Sequence, residues 1–264
     1  MGIENVLRHL IAYGRMTARV TDAVILMAGS GSRLVAGGHI LPKPLIRIAG
    51  REVFSYAVES LAAAGIRKLH VVTGRNGEAL VPKLKLLLPA GMELNPIHNP
   101  DSQKQNGLSV LVAAPHVRAP FLLTMGDHLF DSSIVDLLTR TADLDSLNVA
   151  IDLKIETIFD LDDAMKIQTR GDKVHAIGKE LKDYDAIDTG LFVSTPQFFD
   201  YLEKAKRDND CSLADGVRAM AADGKVRVID IGKAWWQDID TPEMLAAAEK
   251  RVSRRRFAAG SAGP

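Results

Sequence analysis

Asp22-Ala23-Val24-Ile25-Leu26-Met27-Ala28-Gly29-Ser30-Gly31-Ser32-Arg33-Leu34, followed by Leu41-Pro42-Lys43-Pro44-Leu45, decides how this chain is read. Residues 23–27 form an apolar run with β-branched members and no polar alternation, the pattern of a strand buried on both faces of a sheet. The run breaks at Gly29-Ser30-Gly31-Ser32. Glycine there permits positive φ and leaves no Cβ in the way, so successive backbone N–H groups can converge on phosphate oxygens. Arg33 adds a planar fork of donors, and Lys43, set between two prolines, adds a point charge on a stiffened segment. Taken alone, Gly-Ser-Gly fits an ordinary strand-to-loop turn equally well. Two other phosphate loops do not fit: Leu34 stands where a dinucleotide fingerprint has its third glycine, and the segment lacks the Gly-Lys-Ser/Thr of a Walker A loop.

The chain has 264 residues and 47% apolar content, enough to bury one substantial core, so one large domain is expected over 22–253. Lys and Arg number 33 and Asp and Glu 33, so net charge is zero. That balance argues against a whole-surface nucleic-acid or membrane role and makes any phosphate site a local gathering of cations. The lone Cys211 excludes an internal disulfide and fits a reducing cytoplasm. No apolar run reaches the roughly 20 residues that a membrane helix needs. Ile3, Val6, Leu7, Leu10 and Ile11 show helical spacing, so residues 1–21 read as an amphipathic extension packed on the domain or on a second subunit, the latter giving a homodimer. Residues 254–264, opening on Arg254-Arg255-Arg256, read as a flexible basic tail.

Strand and helix patterns alternate through the first half. Strands are expected near 22–28, 68–73, 93–98 and 120–125, and helices near 53–64, 78–88 and 107–114. This βαβ rhythm predicts a mostly parallel, Rossmann-like mixed α/β sheet with helices on both faces, which binds ligands beyond the carboxyl ends of its strands. Later strands are expected at 147–153, 164–169, 173–178, 187–194 and 226–231, with helices near 196–206, 212–222 and 241–253. The turn at Gly171-Asp172 suggests a hairpin forming a small β lid over the ligand face.

The run Pro120–Met125 ends in Gly126-Asp127-His128, which places Asp127 at the carboxyl end of a buried strand. Asp238 follows Trp235-Trp236-Gln237. Mg²⁺ prefers oxygen ligands and is usually held by one or two carboxylates plus substrate phosphates, so Asp127 and Asp238 are the candidate metal pair. The competing reading makes Asp127 a helix cap or turn residue and assigns Asp238 and Asp240 to a cap before Thr241-Pro242. His128 reads as an outer-shell donor or as a packed side chain, and the packed reading is preferred for it as for the other six histidines, none of which shows paired ligand spacing. Thr73, and Asn106-Gly107-Leu108-Ser109 at a helix start, lie on the ligand face by strand order and could touch a nucleotide or simply cap.

Gly29-Ser30-Gly31-Ser32-Arg33-Leu34 with Pro42-Lys43-Pro44-Leu45 and Gly50 resembles the signature of the sugar-1-phosphate nucleotidyltransferases, and the likeness runs from about Asp22 to about Val252. It implies a nucleotidyltransferase (glycosyltransferase-A-like) fold, with Ala28, Gly29, Ser30, Gly31 and Ser32 on the triphosphate and Arg33 and Lys43 as catalytic cations. It also implies that Asn106, Gly107 and Ser109 contact base and ribose, and that Asp127 and Asp238 hold catalytic Mg²⁺. The run Lys173–Leu181, with Asp185-Ala186-Ile187-Asp188-Thr189-Gly190-Leu191-Phe192-Val193, is similar to the CTP:inositol-1-phosphate cytidylyltransferases, which often occur fused to a membrane phosphotransferase. No such segment is present in this sequence, and a free-standing form is expected. Lys179 then faces the acceptor phosphate, and Asp188, Thr189 and Gly190 the acceptor hydroxyls. On local sequence alone Lys179 is equally an edge-strand surface lysine and Asp188-Thr189-Gly190 a tight turn.

The expected partners are CTP and a sugar or polyol phosphate, with no nucleic acid and no stable membrane insertion. Two alternatives stay open: a nucleotidyltransferase acting on mannose-1-phosphate, glucose-1-phosphate or phosphocholine, and a catalytically silent nucleotide-binding subunit.

Overall fold

The first strand, β1 (Asp22–Met27), lies third from one edge of a nine-stranded sheet and is covered on both sides. Val24 and Leu26 face one apolar cluster while Ala23 and Ile25 face another, which is why the run shows no alternation. The computed structural model describes residues 19–29, Leu34 and residues 41–260, with 255–260 described by backbone alone.

Beyond β1, a two-residue ribbon β2 (Arg47–Ile48) and β3 (Arg51–Glu52) leads into α1 (Val53–Ala63). β4 (Lys68–Thr73), α2 (Gly77–Lys85), β5 (Glu93–His98), α3 (Asn106–Leu111) and β6 (Phe121–Met125) then complete the parallel half. After β7 (His128–Phe130) and α4 (Ser132–Thr141) the chain adds β8 (Leu147–Asp152), the hairpin β9 (Lys166–Arg170) and β10 (Lys173–Gly178), and β11 (Ala186–Ser194). The helices α5 (Gln197–Ala205) and α6 (Leu213–Ala222), strands β12 (Val226–Asp230) and β13 (Trp236–Asp238), and helix α7 (Pro242–Gly260) close the fold. The last helix runs through Arg254, where the sequence reading set the start of a tail.

The sheet order is β5-β4-β1-β6-β11-β8-β12-β10-β9. β5, β4, β1 and β6 are parallel, β11 enters antiparallel between β6 and β8, and β12 returns parallel to β8. This is the mixed α/β class expected from the alternating pattern. The hairpin expected as a lid is joined into the main sheet: β10 pairs with β12, and β9 also pairs with β11 through Ala186 and Ile187. That second pairing curls this end of the sheet and turns the hairpin toward the carboxyl ends of β6 and β8.

Helices α3, α5 and α6 pack one face, where the Phe121 and Phe199 rings stack with centroids 5.4 Å apart. α1, α2 and α4 pack the other. A third, smaller cluster of Leu34, Ile46, Ile48, Val53, Leu129, Ile239 and Ala248 lies beneath the β7–β13 pair. No helix of the described residues is long and apolar enough to cross a membrane.

Phe192 on β11 is fully buried, paired with Leu123 on β6 and Val149 on β8. Phe192→Ala is expected to cost about 3–5 kcal/mol by denaturant unfolding. A loss below about 1 kcal/mol would contradict this packing.

Candidate active site

Two short strands that no periodicity in the sequence marks assemble the site. β6 ends at Gly126, where a Cβ would come within 2.4 Å of the Met27 side chain, so only glycine lets the two strand ends pack this closely. The chain then turns through Asp127 into β7. β7 pairs antiparallel with β13, matching Trp236 to Phe130, Gln237 to Leu129 and Asp238 to His128. The backbone N–H of Ile239 donates to the Asp127 carbonyl at 3.0 Å, and that of Asp131 to the Trp235 carbonyl at 2.9 Å, extending the ribbon at both ends. Leu129 and Ile239 anchor it on Leu34, Ile46 and Ile48. The ribbon thereby carries Asp238 and Asp240 to Asp127.

Lys43 enters from a short 3₁₀ turn, Lys43–Leu45, whose Pro44 and Leu45 are buried. Its Nζ donates to Asp127 Oδ2 at 2.7 Å and to Asp240 Oδ1. Burial works to lower the Lys43 pKa, but Asp127 and Asp240 outweigh it and hold the ammonium above the ordinary lysine value. Burial likewise works to raise Asp127. The hydrogen bond from His128, at 2.8 Å from Nδ1 to Oδ1, and the charges of His128 and Lys43 overcome it and keep this carboxylate well below the usual range. Asp238 is pushed up, first by burial and then by Asp240 and Asp127, with His128 opposing. Three carboxylates thus gather around Lys43 and His128. Among the described residues no set of three or more His, Cys, Asp or Glu side chains forms a ready-made metal cage.

Asp240 was not among the expected site residues. The helix cap assigned to it belongs to Thr241, whose Oγ1 accepts from the Met244 N–H at 3.3 Å. The spacing of Asp238 and Asp240, two apart on an extended segment and therefore on one face, is the signal that could have found it.

Beside the carboxylates opens a chamber of about 630 Å³, walled by β8, β10, β11 and α6 and by the loop 153–165. Lys179, Asp188 and Gly190, the residues expected on the acceptor side, all line it. Lys179 is ion-paired with Asp163 across the chamber wall. Asp188 Oδ1 accepts from the Gly190 N–H at 2.8 Å, and shielding from water raises its pKa to about 7 despite that bond and the nearby His128. Thr189, one residue out of phase, is fully buried and donates to the Ala150 carbonyl at 2.8 Å, away from the chamber. Asp152, Lys154, Trp235 and Trp236 also line the chamber, and sequence reasoning had singled out none of them as site residues.

On the nucleotide side, Ala28 and Gly29 follow β1 at its carboxyl end, and a Cβ on Gly29 would meet nothing within 4 Å. Ser30, Gly31, Ser32 and Arg33 lie outside the described residues. Thr73 ends β4, is buried, and its hydroxyl lies 3.4 Å from the Ile97 carbonyl. Asn106 reaches the chamber while its Oδ1 accepts from the Leu213 N–H at 2.8 Å. The Gly107 N–H donates to the Cys211 carbonyl at 3.0 Å, and Ser109 is buried, accepting from Asn99 Nδ2 at 2.9 Å. Thr73, Gly107 and Ser109 thus shape the nucleotide-side loops through contacts within the chain.

Residues 23–153 match the MobA-like NTP transferase domain. This segment belongs to that family. A "Bifunctional IPC transferase and DIPP synthase" of Thermococcus kodakarensis is 33% identical over 234 residues, which cover 88% of this chain and 50% of that one. Its namesake in Rubrobacter xylanophilus is 33% identical over 232 residues, covering 87% and 51%. The chain therefore spans about half the length of these curated relatives. Among solved structures, the inositol-1-phosphate CTP transferase from T. maritima superposes with a TM-score of 0.76 at 26% identity, covering 88% of this chain and 97% of that one. The NTP transferase segment contains β1, Lys43 and Asp127, while Asp238 and Asp240 come from beyond it.

The Asp188 carboxyl gives a pH signature. Its folded pKa of about 7 stands above the unfolded value of about 3.9, so the folded state holds this proton more tightly. The stability it contributes is full below about pH 4, falls as pH rises to about 7 and is flat above. The stability of the wild type relative to Asp188→Asn is expected to follow that curve in unfolding measurements from pH 4 to 8. A difference that does not change with pH would contradict it.

Proposed function

We propose that this chain transfers CMP from CTP to inositol-1-phosphate, giving CDP-inositol and pyrophosphate. The observation that carries the reading is Lys43 held between Asp127 and Asp240 at the carboxyl ends of the parallel strands, beside a chamber lined by Lys179, Asp188 and Asp152. The likeness to the inositol-1-phosphate CTP transferase supports the choice of nucleotide and acceptor. The reading carries with it a cytoplasmic location, since CTP is an intracellular nucleotide.

In this reading an acceptor phosphate oxygen attacks the α-phosphorus of CTP. The new P–O bond forms as the bond to the bridging oxygen of the β-phosphate breaks, and pyrophosphate leaves with that electron pair. The acceptor phosphate is already ionised, so no general base is required and the protein works by positioning and charge. Lys43 neutralises phosphoryl oxygens, and Arg33 does the same from the glycine-rich loop. Lys179 draws the acceptor phosphate, while Asp188 and Asp152 offer carboxylate oxygens to its hydroxyls. The all-oxygen set of Asp127, Asp238 and Asp240 suits Mg²⁺, and Asp127 with one or both of the later aspartates would hold it. Bound there, the ion supplies Lewis-acid stabilisation of charge on the phosphates.

Pyrophosphate release is to be measured for CTP, UTP and GTP against inositol-1-phosphate, glucose-1-phosphate, mannose-1-phosphate and phosphocholine. CTP with inositol-1-phosphate is expected to turn over fastest, and Lys43→Ala and Asp127→Asn to lower that rate by at least about 10²–10³-fold without loss of fold. A preference for another pair would overturn the assignment of substrates. Nucleotide binding without release from any pair would identify a silent subunit.

A further inference from the structure

His128, one residue past Asp127, is held from every direction. Its Nδ1 lies 2.8 Å from Asp127 Oδ1. Its backbone pairs opposite Asp238 in the ribbon. Its ring stacks on Trp236, with centroids 6.0 Å and planes 22° apart. On the remaining edge lies Gly190, where a Cβ would come within 2.4 Å of His128 Nε2. Gly190 is at φ +73°, so this position excludes a side chain on two counts.

The groups around the ring are themselves tied down. Trp236 Nε1 donates to Asp152 Oδ2 at 3.1 Å. Asp152 is buried and accepts on Oδ1 from the backbone N–H and the Nζ of Lys154, at 2.8 and 2.7 Å. The Gly190 N–H is bound to Asp188. Space-filling alone calls for none of this. What the arrangement does is fix the ring so that one nitrogen meets one oxygen of Asp127, whose other oxygen is bonded to Lys43. A carboxylate gripped at both oxygens cannot rotate about its Cβ–Cγ bond.

We propose that His128 is a positioning residue whose Nδ1–H sets the orientation of the Asp127 carboxylate toward a divalent ion, with Trp236, tethered to Asp152, and the bare backbone at Gly190 holding the ring to that task. Asp152, Asp188 and Gly190 also line the chamber, so the same arm connects the acceptor wall to the carboxylate that meets the nucleotide. The inference rests on Asp127 being a metal carboxylate, as in the reading above, and on no particular base or acceptor.

The test uses Mn²⁺ as the probe, its affinity for the full-length chain read by electron paramagnetic resonance. Asn and Gln separate the two ring nitrogens: the Asn amide nitrogen falls near the position of Nδ1, and that of Gln near Nε2. His128→Gln is expected to weaken Mn²⁺ binding by about 10–100-fold, and His128→Asn to restore it to within about threefold of wild type. Equal losses in the two variants, or none in the Gln variant, would overturn the proposal. Ring ¹⁵N shifts of the metal-free wild type give a second reading, in which Nδ1 is expected to carry a proton; a bare Nδ1 would overturn the proposal even if the Gln variant did not fold. Asp127→Asn separates this test from that of the reaction. Mn²⁺ affinity that falls in Asp127→Asn, with the Gln and Asn split intact, supports the positioning role even in a chain that transfers no CMP. Affinity indifferent to Asp127→Asn removes the metal assignment and this proposal with it.

Discussion

One ammonium group lies between two carboxylates that the sequence keeps far apart. Lys43 meets Asp127, 84 positions away, and Asp240, 197 positions away, in a part of the molecule largely shielded from water. Carboxylates gathered there repel one another and lose hydration, at a cost of several kcal/mol for each unpaired ion. The Lys43 charge offsets that cost in the nucleotide-free protein. In the proposed reaction a divalent ion would take over that role and free the lysine for phosphate.

The rest of the fold serves this meeting. β1 and β6 lie side by side and end together, which places Ala28 at the end of β1 next to Asp127. The β7–β13 ribbon crosses the end of the sheet and delivers Asp238 and Asp240, and the small apolar cluster beneath it carries Leu34 and Ile46 on the flanks of Lys43. β11, running against its neighbours, brings Asp188 and Gly190 to the opposite wall. Among the glycines whose missing Cβ the packing requires are Gly126 against Met27 and Gly190 against His128.

β1 and β6 were legible because they are buried on both faces and so read as largely apolar runs bounded by turn residues, at 23–27 and 121–125. The ribbon strands were not. His128-Leu129-Phe130 and Trp236-Gln237-Asp238 are three residues each, too short to show a period, and their pairing is decided by tertiary packing under Leu129 and Ile239. Lys43 and Asp127 were identifiable because their neighbours are distinctive, prolines on either side of one and a strand end before the other. Asp240 was hidden by a true local signal, the Thr241-Pro242 helix start, which accounts for the helix and says nothing of the carboxylate before it. Asp188-Thr189-Gly190 was read as one acceptor unit, yet strand alternation sends Thr189 to the far face. For His128 a packed side chain was the preferred reading over an outer-shell donor, because the neighbours that fix its ring, Trp236 and Gly190, and the Asp152 that tethers Trp236, come from distant segments.

In the proposed reaction the carboxylates around Lys43 form the charge centre of a nucleotidyl-transfer site. The most direct measurement is a crystal structure of the chain with Mg²⁺ and a non-hydrolysable CTP analogue. An ion is expected on Asp127 and at least one of Asp238 and Asp240, with the Lys43 ammonium moved from the carboxylates onto phosphate oxygens. Nucleotide bound elsewhere, with Lys43 still bridging Asp127 and Asp240, would contradict it.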